Sequence, residues 1–164
     1  MSTPSNDGNR GAFCQMLRVS EGTAGPRGYN TQVGYTYFDD FSTHPALAGW
    51  RGLPLSAAMC AGAGLGPGCV STAAGAYQIT KPTFKRVAAK LGITDFSPAA
   101  QDAIAIELIR EKGALTDVDN GNFADAVNKV SKVWASLPGA GYGQHENKMA
   151  ALEAAYVNAG GVLA

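Results

Sequence analysis

From Thr80 to Asn158 the chain is written in short stretches of helical period, most of them opened by a capping residue or proline and closed by glycine. Phe84, Val87, Ala88 and Leu91 share one face after Thr80 and Pro82, and Gly92 ends the segment. Ser97 and Pro98 start another, with Ile104, Leu108 and Ile109 on its buried side and Gly113 as the stop. Asn122 stands at the cap of a third, whose stripe of Phe123, Ala126, Val127, Val130 and Trp134 runs on until Pro138 and Gly139. A last helix is expected from Glu146 to Asn158. Each stripe has to be covered, so these segments must pack on one another. No repeat of fixed period runs through them, which excludes a solenoid.

The N-terminal half is less regular. Residues 1–10 are rich in Ser, Asn, Asp and Gly and read as a mobile tail. Phe13, Met16, Leu17 and Ser20 follow helical spacing, so a helix is expected from near Gly11 to Glu21, stopped by Gly22. Tyr, Thr and Val between Tyr29 and Phe41, with Gly34 at the centre, predict a hairpin of short strands. Residues 45–76 show no period and read as a long irregular connection. With 164 residues, 46% of them apolar, residues 11–164 are expected to form one domain. The fold class expected is α+β, mainly α: a helical body, a small β-hairpin region, and a cleft between them for a long polymer.

Thirteen basic and thirteen acidic side chains cancel, so no electrostatic footprint for nucleic acid or an anionic membrane is present. A neutral polar partner such as a sugar fits better. No apolar run approaches the roughly 18 residues of a membrane span, and MSTPSNDGNR lacks the apolar stretch of a secretory signal. Synthesis in the cytoplasm is expected, with any export by another route. Cys14, Cys60, Cys69, His44 and His145 lack metal-ligand spacing, so neither a metal nor a cofactor is expected. Cys14 falls among apolar helix positions and reads as core. Cys60 and Cys69 flank AGAGLGPG: the spacing permits a disulfide, cytosolic synthesis argues against one, and both readings stay open.

Glu21 is the most informative residue. It stands about 80° around the helix from Phe13, leaning toward the buried side, and in the last turn, where the helix dipole is negative. Both effects disfavour the carboxylate and raise its pKa, as a general acid near neutral pH requires. Position alone does not separate this from a glutamate fraying into water. Two loops add weight: STAAGAYQI offers Tyr77 as a stacking surface and Gln78 as a hydrogen-bond partner, and WASLPGAGYGQ sets Tyr142 between glycines. Those are the groups a sugar needs, although a buried tyrosine would look the same.

In order along the chain, MLRVSEGT, GYN, FDDFSTHP, STAAGAYQ, SPAAQDAIA with REKGAL, and WASLPGAGYGQ resemble the lambda lysozyme (lambda endolysin) family, over residues 11–161. The resemblance implies a lysozyme-like fold and a phage lytic transglycosylase. Such an enzyme cleaves the MurNAc to GlcNAc β-1,4 bond of peptidoglycan and leaves a 1,6-anhydro end. It implies Glu21 as catalytic acid and base, and Asp40, Tyr77, Gln78 and Tyr142 as glycan-binding residues, with Asp39 less secure than Asp40. It also implies a monomer whose partner is the glycan strand, released to the periplasmic wall by a holin-type route. Residues 50–69, with the cysteine pair, are longer here than in the family pattern.

A second phage muramidase family shares MLR followed by an acidic residue and Gly, but needs an Asp nine positions after its Glu and a Thr six beyond. This chain has Glu21, Asn30 and Thr36. Asn30 cannot activate water or attack as an anion, so a two-carboxylate glycosidase lacks its second member there. The alternatives are a hydrolysing muramidase using Asp39 or Asp40, and a non-catalytic glycan-binding virion protein. With two histidines and no HExxH, a metallopeptidase is not supported.

Overall fold

A computed structural model describes residues 4–143 and 145–164. Met1 to Thr3 of the expected tail and Gln144, the last residue of WASLPGAGYGQ, lie outside the described residues. The chain divides into two compact units, residues 1–22 with 105–164, and residues 23–104.

The first unit is helical. It contains α1 (Pro4–Glu21), the C-terminal part of α4 (Pro98–Glu111), α5 (Leu115–Asn120), α6 (Phe123–Val130) and α7 (Met149–Asn158). Phe13, Met16 and Leu17 of α1 are fully buried, as their spacing predicts. Phe13 meets Phe123 edge to face at 5.9 Å between ring centroids, and Phe123 lies 4.9 Å from Tyr156 on α7.

The expected tail is corrected by the helix itself, which starts at Pro4. Asn9 is buried, donating to Asp119 O at 3.3 Å and accepting from Val162 N at 3.0 Å. Arg10 grips both carboxylate oxygens of Asp119, at 2.7 and 2.8 Å. Polar residues that resemble a tail in sequence are here fasteners for α5 and the C-terminal segment. The stripe of α6 is also shorter than expected. The helix stops at Val130, Trp134 is buried in the turns that follow, and the Asn122 side chain makes no capping bond. α5, only six residues long, is too short to show a helical period in the sequence.

The second unit carries the predicted hairpin, β1 (Thr31–Gln32) and β2 (Thr36–Tyr37), paired antiparallel with Gln32 opposite Thr36. The connection expected to be irregular holds α2 (Ala57–Gly62) between β3 (Leu53–Pro54) and β4 (Val70–Ser71), which pair antiparallel. A disulfide joins Cys60 to Cys69, so the loop they flank is closed, and Cys14 is a buried thiol. α3 (Lys81–Leu91) and the start of α4 complete the unit, with Gly92 in the left-handed conformation as the stop of α3.

Its core is a cluster of Phe38, Phe84, Phe96 and the fully buried His44, whose ring lies 4.9 Å from Phe96 and 5.6 Å from Phe84. The main-chain N–H of Ala46 must donate, so His44 Nδ1 accepts it at 3.1 Å, leaving Nε2–H to donate to Ile79 O at 2.7 Å. That pattern defines a neutral imidazole, and burial holds its pKa below 6.5.

Gln101, also fully buried, ties the turn at 74–78. Its Oε1 accepts from Ala76 N at 2.8 Å, and its Nε2 donates to Phe96 O at 2.9 Å and Tyr29 O at 3.1 Å. A Cβ on Gly75, where φ is +81°, would stand 2.2 Å from Gln101 Oε1, so only glycine fits against this amide.

Candidate active site

α1 ends at Glu21 because Gly22 takes a left-handed φ of 76°, which no side chain with a Cβ adopts cheaply. The carboxyl is thereby left in the last turn, only partly exposed, at the negative end of the helix. Burial raises its pKa to about 7, against the pull of a hydrogen bond from the Ser136 side chain. At neutral pH such a group is present in both forms, able to give a proton and to take one back.

The end of α1 is knotted to the segment 134–147. Ser20 and Ser136 hydroxyls lie 2.7 Å apart, Asn147 Nδ2 donates to Ser20 O at 3.0 Å and Oγ at 3.1 Å, and Asn147 N donates to Ser136 O at 2.7 Å. The same segment presents Tyr142, half-buried, with its hydroxyl donating to Lys132 O at 2.8 Å. Lys132 Nζ sits 5.3 Å from the centre of that ring and donates to Ala140 O. Glu146 accepts from Gly141 N and Gly139 N, each at 2.9 Å, and these bonds hold its carboxyl below the ordinary 4.5. Glu21 and Tyr142 thus belong to one unit and are fastened to one loop.

Asp40, Tyr77 and Gln78 belong to the other unit. Asp40 is exposed where the chain leaves the hairpin and accepts from Ser42 N at 2.8 Å; this bond and one from the Ser42 side chain hold its pKa below 3.8. Asp39 is exposed too, 3.6 Å from Arg27, whose guanidinium lies over Tyr37 at 4.0 Å. Gln78 adopts a left-handed φ of 49°, a cost of about 1 kcal/mol offset by its amide nitrogen donating to Gly75 O at 2.9 Å and Thr31 O at 3.2 Å.

Tyr77 corrects the expectation of a stacking surface. Its ring is fully buried, edge-on to Tyr29 at 6.4 Å, and its hydroxyl donates to Asp102 at 2.5 Å beside that of Tyr29 at 2.8 Å. Because the turn is pinned by Gln101, the residue between Ala76 and Gln78 points into the core. Asn30 is likewise structural: its Nδ2 donates to Phe38 O at 2.9 Å across the mouth of the hairpin.

A family model described as Endolysin matches residues 11–163. The chain belongs to the endolysin family. This endolysin is 41% identical to the endolysin of Escherichia phage lambda over 160 residues, covering 94% of this chain and 92% of that one. It is 40% identical to the endolysin of Escherichia phage P2 over 164 residues, covering 94% of each. Its fold superposes on bacteriophage lambda lysozyme complexed with a chitohexasaccharide with a TM-score of 0.81 at 39% identity over the full length of both chains. A second lambda lysozyme structure gives a TM-score of 0.77.

Sequence reasoning passed over Ser20, Ser136, Asn147, Lys132, Glu146, Gln101 and Asp102. Ser136, Asn147, Lys132 and Glu146 fall within or beside WASLPGAGYGQ, the most specific string in the chain, and that string was the available signal. Among the described residues no three His, Cys, Asp or Glu side chains form a group able to hold a metal ion, and no helix is long and apolar enough to cross a membrane.

Proposed function

We propose that this endolysin cuts the glycan strands of peptidoglycan at the MurNAc to GlcNAc β-1,4 bond, as a lytic transglycosylase. The observation that carries this reading is the Glu21 carboxyl, raised to about 7 by burial at a helix end. Its acid form protonates the departing glycosidic oxygen. The carboxylate so formed removes the proton from the C6 hydroxyl of the same muramic residue, which attacks C1. One carboxyl serves both steps, because the attacking oxygen is already held beside C1 and loses little entropy on reacting.

Asn30 supports the intramolecular route, since its amide is spent on the hairpin and has no basicity to lend to a water. The chitohexasaccharide held by lambda lysozyme supports a glycan as ligand. Tyr142 would offer its ring face to a sugar, with Gln78 and Asp40 offering polar groups, while Tyr77 props the turn that carries Gln78. The Cys60–Cys69 bond fits work in an oxidising compartment such as the periplasm, reached by holin-type release.

Mass spectrometry of peptidoglycan digested by the purified protein tests the reaction. Glycan ends should be 1,6-anhydro forms, about 18 mass units lighter than hydrolysed ends because no water is added. Reducing muramic acid ends would replace this reading by hydrolysis, with Asp39 and Asp40 the first residues to mutate.

A further inference from the structure

Ser20, Ser136 and Asn147 come from positions 116 and 127 residues apart, yet form one run of hydrogen bonds that stops at Glu21. With Glu21 as the carboxylate, which can only accept, the run has a direction. A main-chain carbonyl only accepts, so the Asn147 atom 3.0 Å from Ser20 O is the amide nitrogen. The same nitrogen donates to Ser20 Oγ, 3.1 Å away, which therefore accepts as well. Ser20's own hydrogen is left for Ser136 Oγ at 2.7 Å, and that of Ser136 for the Glu21 carboxylate.

When Glu21 carries the proton, the same atoms run in reverse. The acid donates to Ser136 Oγ and Ser136 donates to Ser20 Oγ, whose two lone pairs then accept from Ser136 and Asn147 together. Glu21 and Ser136 are served in both protonation states by turning two hydroxyls, with no heavy atom displaced. The reversed setting leaves Ser20's hydrogen without Ser136 as its acceptor, so the fixed amide of Asn147 biases the run toward the carboxylate.

We propose that Ser136 is a positioning residue for the transglycosylase reaction, donating to Glu21 as carboxylate and accepting from it as acid, with Ser20 and Asn147 setting the bias. The proposal rests on Glu21 being the catalytic acid and base. Other charged or titratable groups on the elements of this unit have their own engagements. Arg18 on α1 donates to Gln15, Glu146 accepts from Gly139 and Gly141, and Lys132 donates to Ala140 O. Asp119 pairs with Arg10, and Asp117 with Lys129. The loop and α7 also carry Tyr142, His145, Lys148, Glu153 and Tyr156, and the causes of the Glu21 shift are burial and Ser136.

The test is an NMR titration of the Glu21 side-chain carboxyl in the full chain, beside the pH profile of glycan cleavage. In Ser136→Ala the midpoint should rise by about one pH unit, the size expected for losing a hydrogen bond to a charged group. The high-pH limb of kcat/KM should follow it upward, with kcat falling about tenfold and KM nearly unchanged. Ser136→Thr, which keeps the hydroxyl, should restore both. If Ser136→Ala does not fold, Asn147→Ala carries the same test with a smaller rise, since it removes only the bias. A Glu21 midpoint that stays put in a folded variant, or a threonine that behaves like alanine, overturns the proposal. A midpoint that moves while no limb of the rate profile follows overturns the catalytic assignment of Glu21, and the positioning role with it.

Discussion

Each unit is braced by a polar network, fully buried in one and partly buried in the other, and the two differ in where they end. In residues 23–104, Gln101 and His44 spend their hydrogen bonds on main-chain groups. Nothing in that arrangement changes charge near neutral pH, because His44 is held neutral by burial. In the other unit, Asn147, Ser20 and Ser136 lead to a carboxyl with a pKa of about 7. A network closed on the backbone can only stiffen a fold. One that ends on a half-protonated acid stiffens the fold and is also placed to serve the proposed chemistry.

The largest expected effect separates these roles. Glu21→Gln should fold normally and lose about 10² to 10⁴ in glycan-cleaving rate, the usual worth of a general acid, as read by turbidity clearing of cell walls. A Glu21→Gln protein with wild-type clearing would break the comparison. Gln101→Leu should do the opposite: it leaves Ala76 N–H and the Phe96 and Tyr29 carbonyls without their partner, costing about 3 to 5 kcal/mol in urea unfolding.

Proton linkage sharpens the contrast. Glu21 binds its proton more tightly folded, near 7, than unfolded, near 4.5, so its contribution to stability is full below 4.5 and is lost as pH rises through 7. The ceiling is about 3 kcal/mol, and Glu21→Gln should remove that slope and be the more stable protein at pH 8. His44 has the opposite sign. Its folded pKa is depressed, so its contribution is present above 6.5 and lost as pH falls toward the folded value. Urea titrations of wild type and Glu21→Gln at pH 5 and 8 check the Glu21 sign, and a parallel pair of curves would contradict it.

How much of this the sequence revealed depended on the range of the interactions. α3 and α4 were legible because eleven and fourteen residues hold enough turns for a stripe to repeat. α2 and α5, with six residues each, and β3 and β4, with two each, are too short to carry a period. The buried lean of Glu21 could be read because helix geometry fixes it locally. Tyr77 could not: its burial is decided by Gln101 and Asp102, and an aromatic after small residues looks the same inside or out. Asn9 and Arg10 read as tail because their partners, Asp119 and Val162, lie more than a hundred residues away.

Two smaller effects probe the remaining elements. Reducing the Cys60–Cys69 bridge, or replacing both cysteines by serine, should cost about 2 to 3 kcal/mol for a loop of this length, measured as a lower urea midpoint. Asn122→Ala should cost less than about 0.5 kcal/mol, below the usual loss of an N-cap, because the side chain makes no capping bond. A cost above about 1 kcal/mol would restore Asn122 as a cap.

The proposed reaction turns on a carboxyl that burial keeps half-protonated at neutral pH. Titrating the Glu21 side-chain carboxyl of the wild-type chain by NMR, with Glu21→Gln to assign the resonance, reads that property without reference to substrate. The predicted midpoint is about 7. A midpoint near the ordinary 4.5 would leave Glu21 an ionised surface glutamate, unable to protonate a leaving sugar at neutral pH.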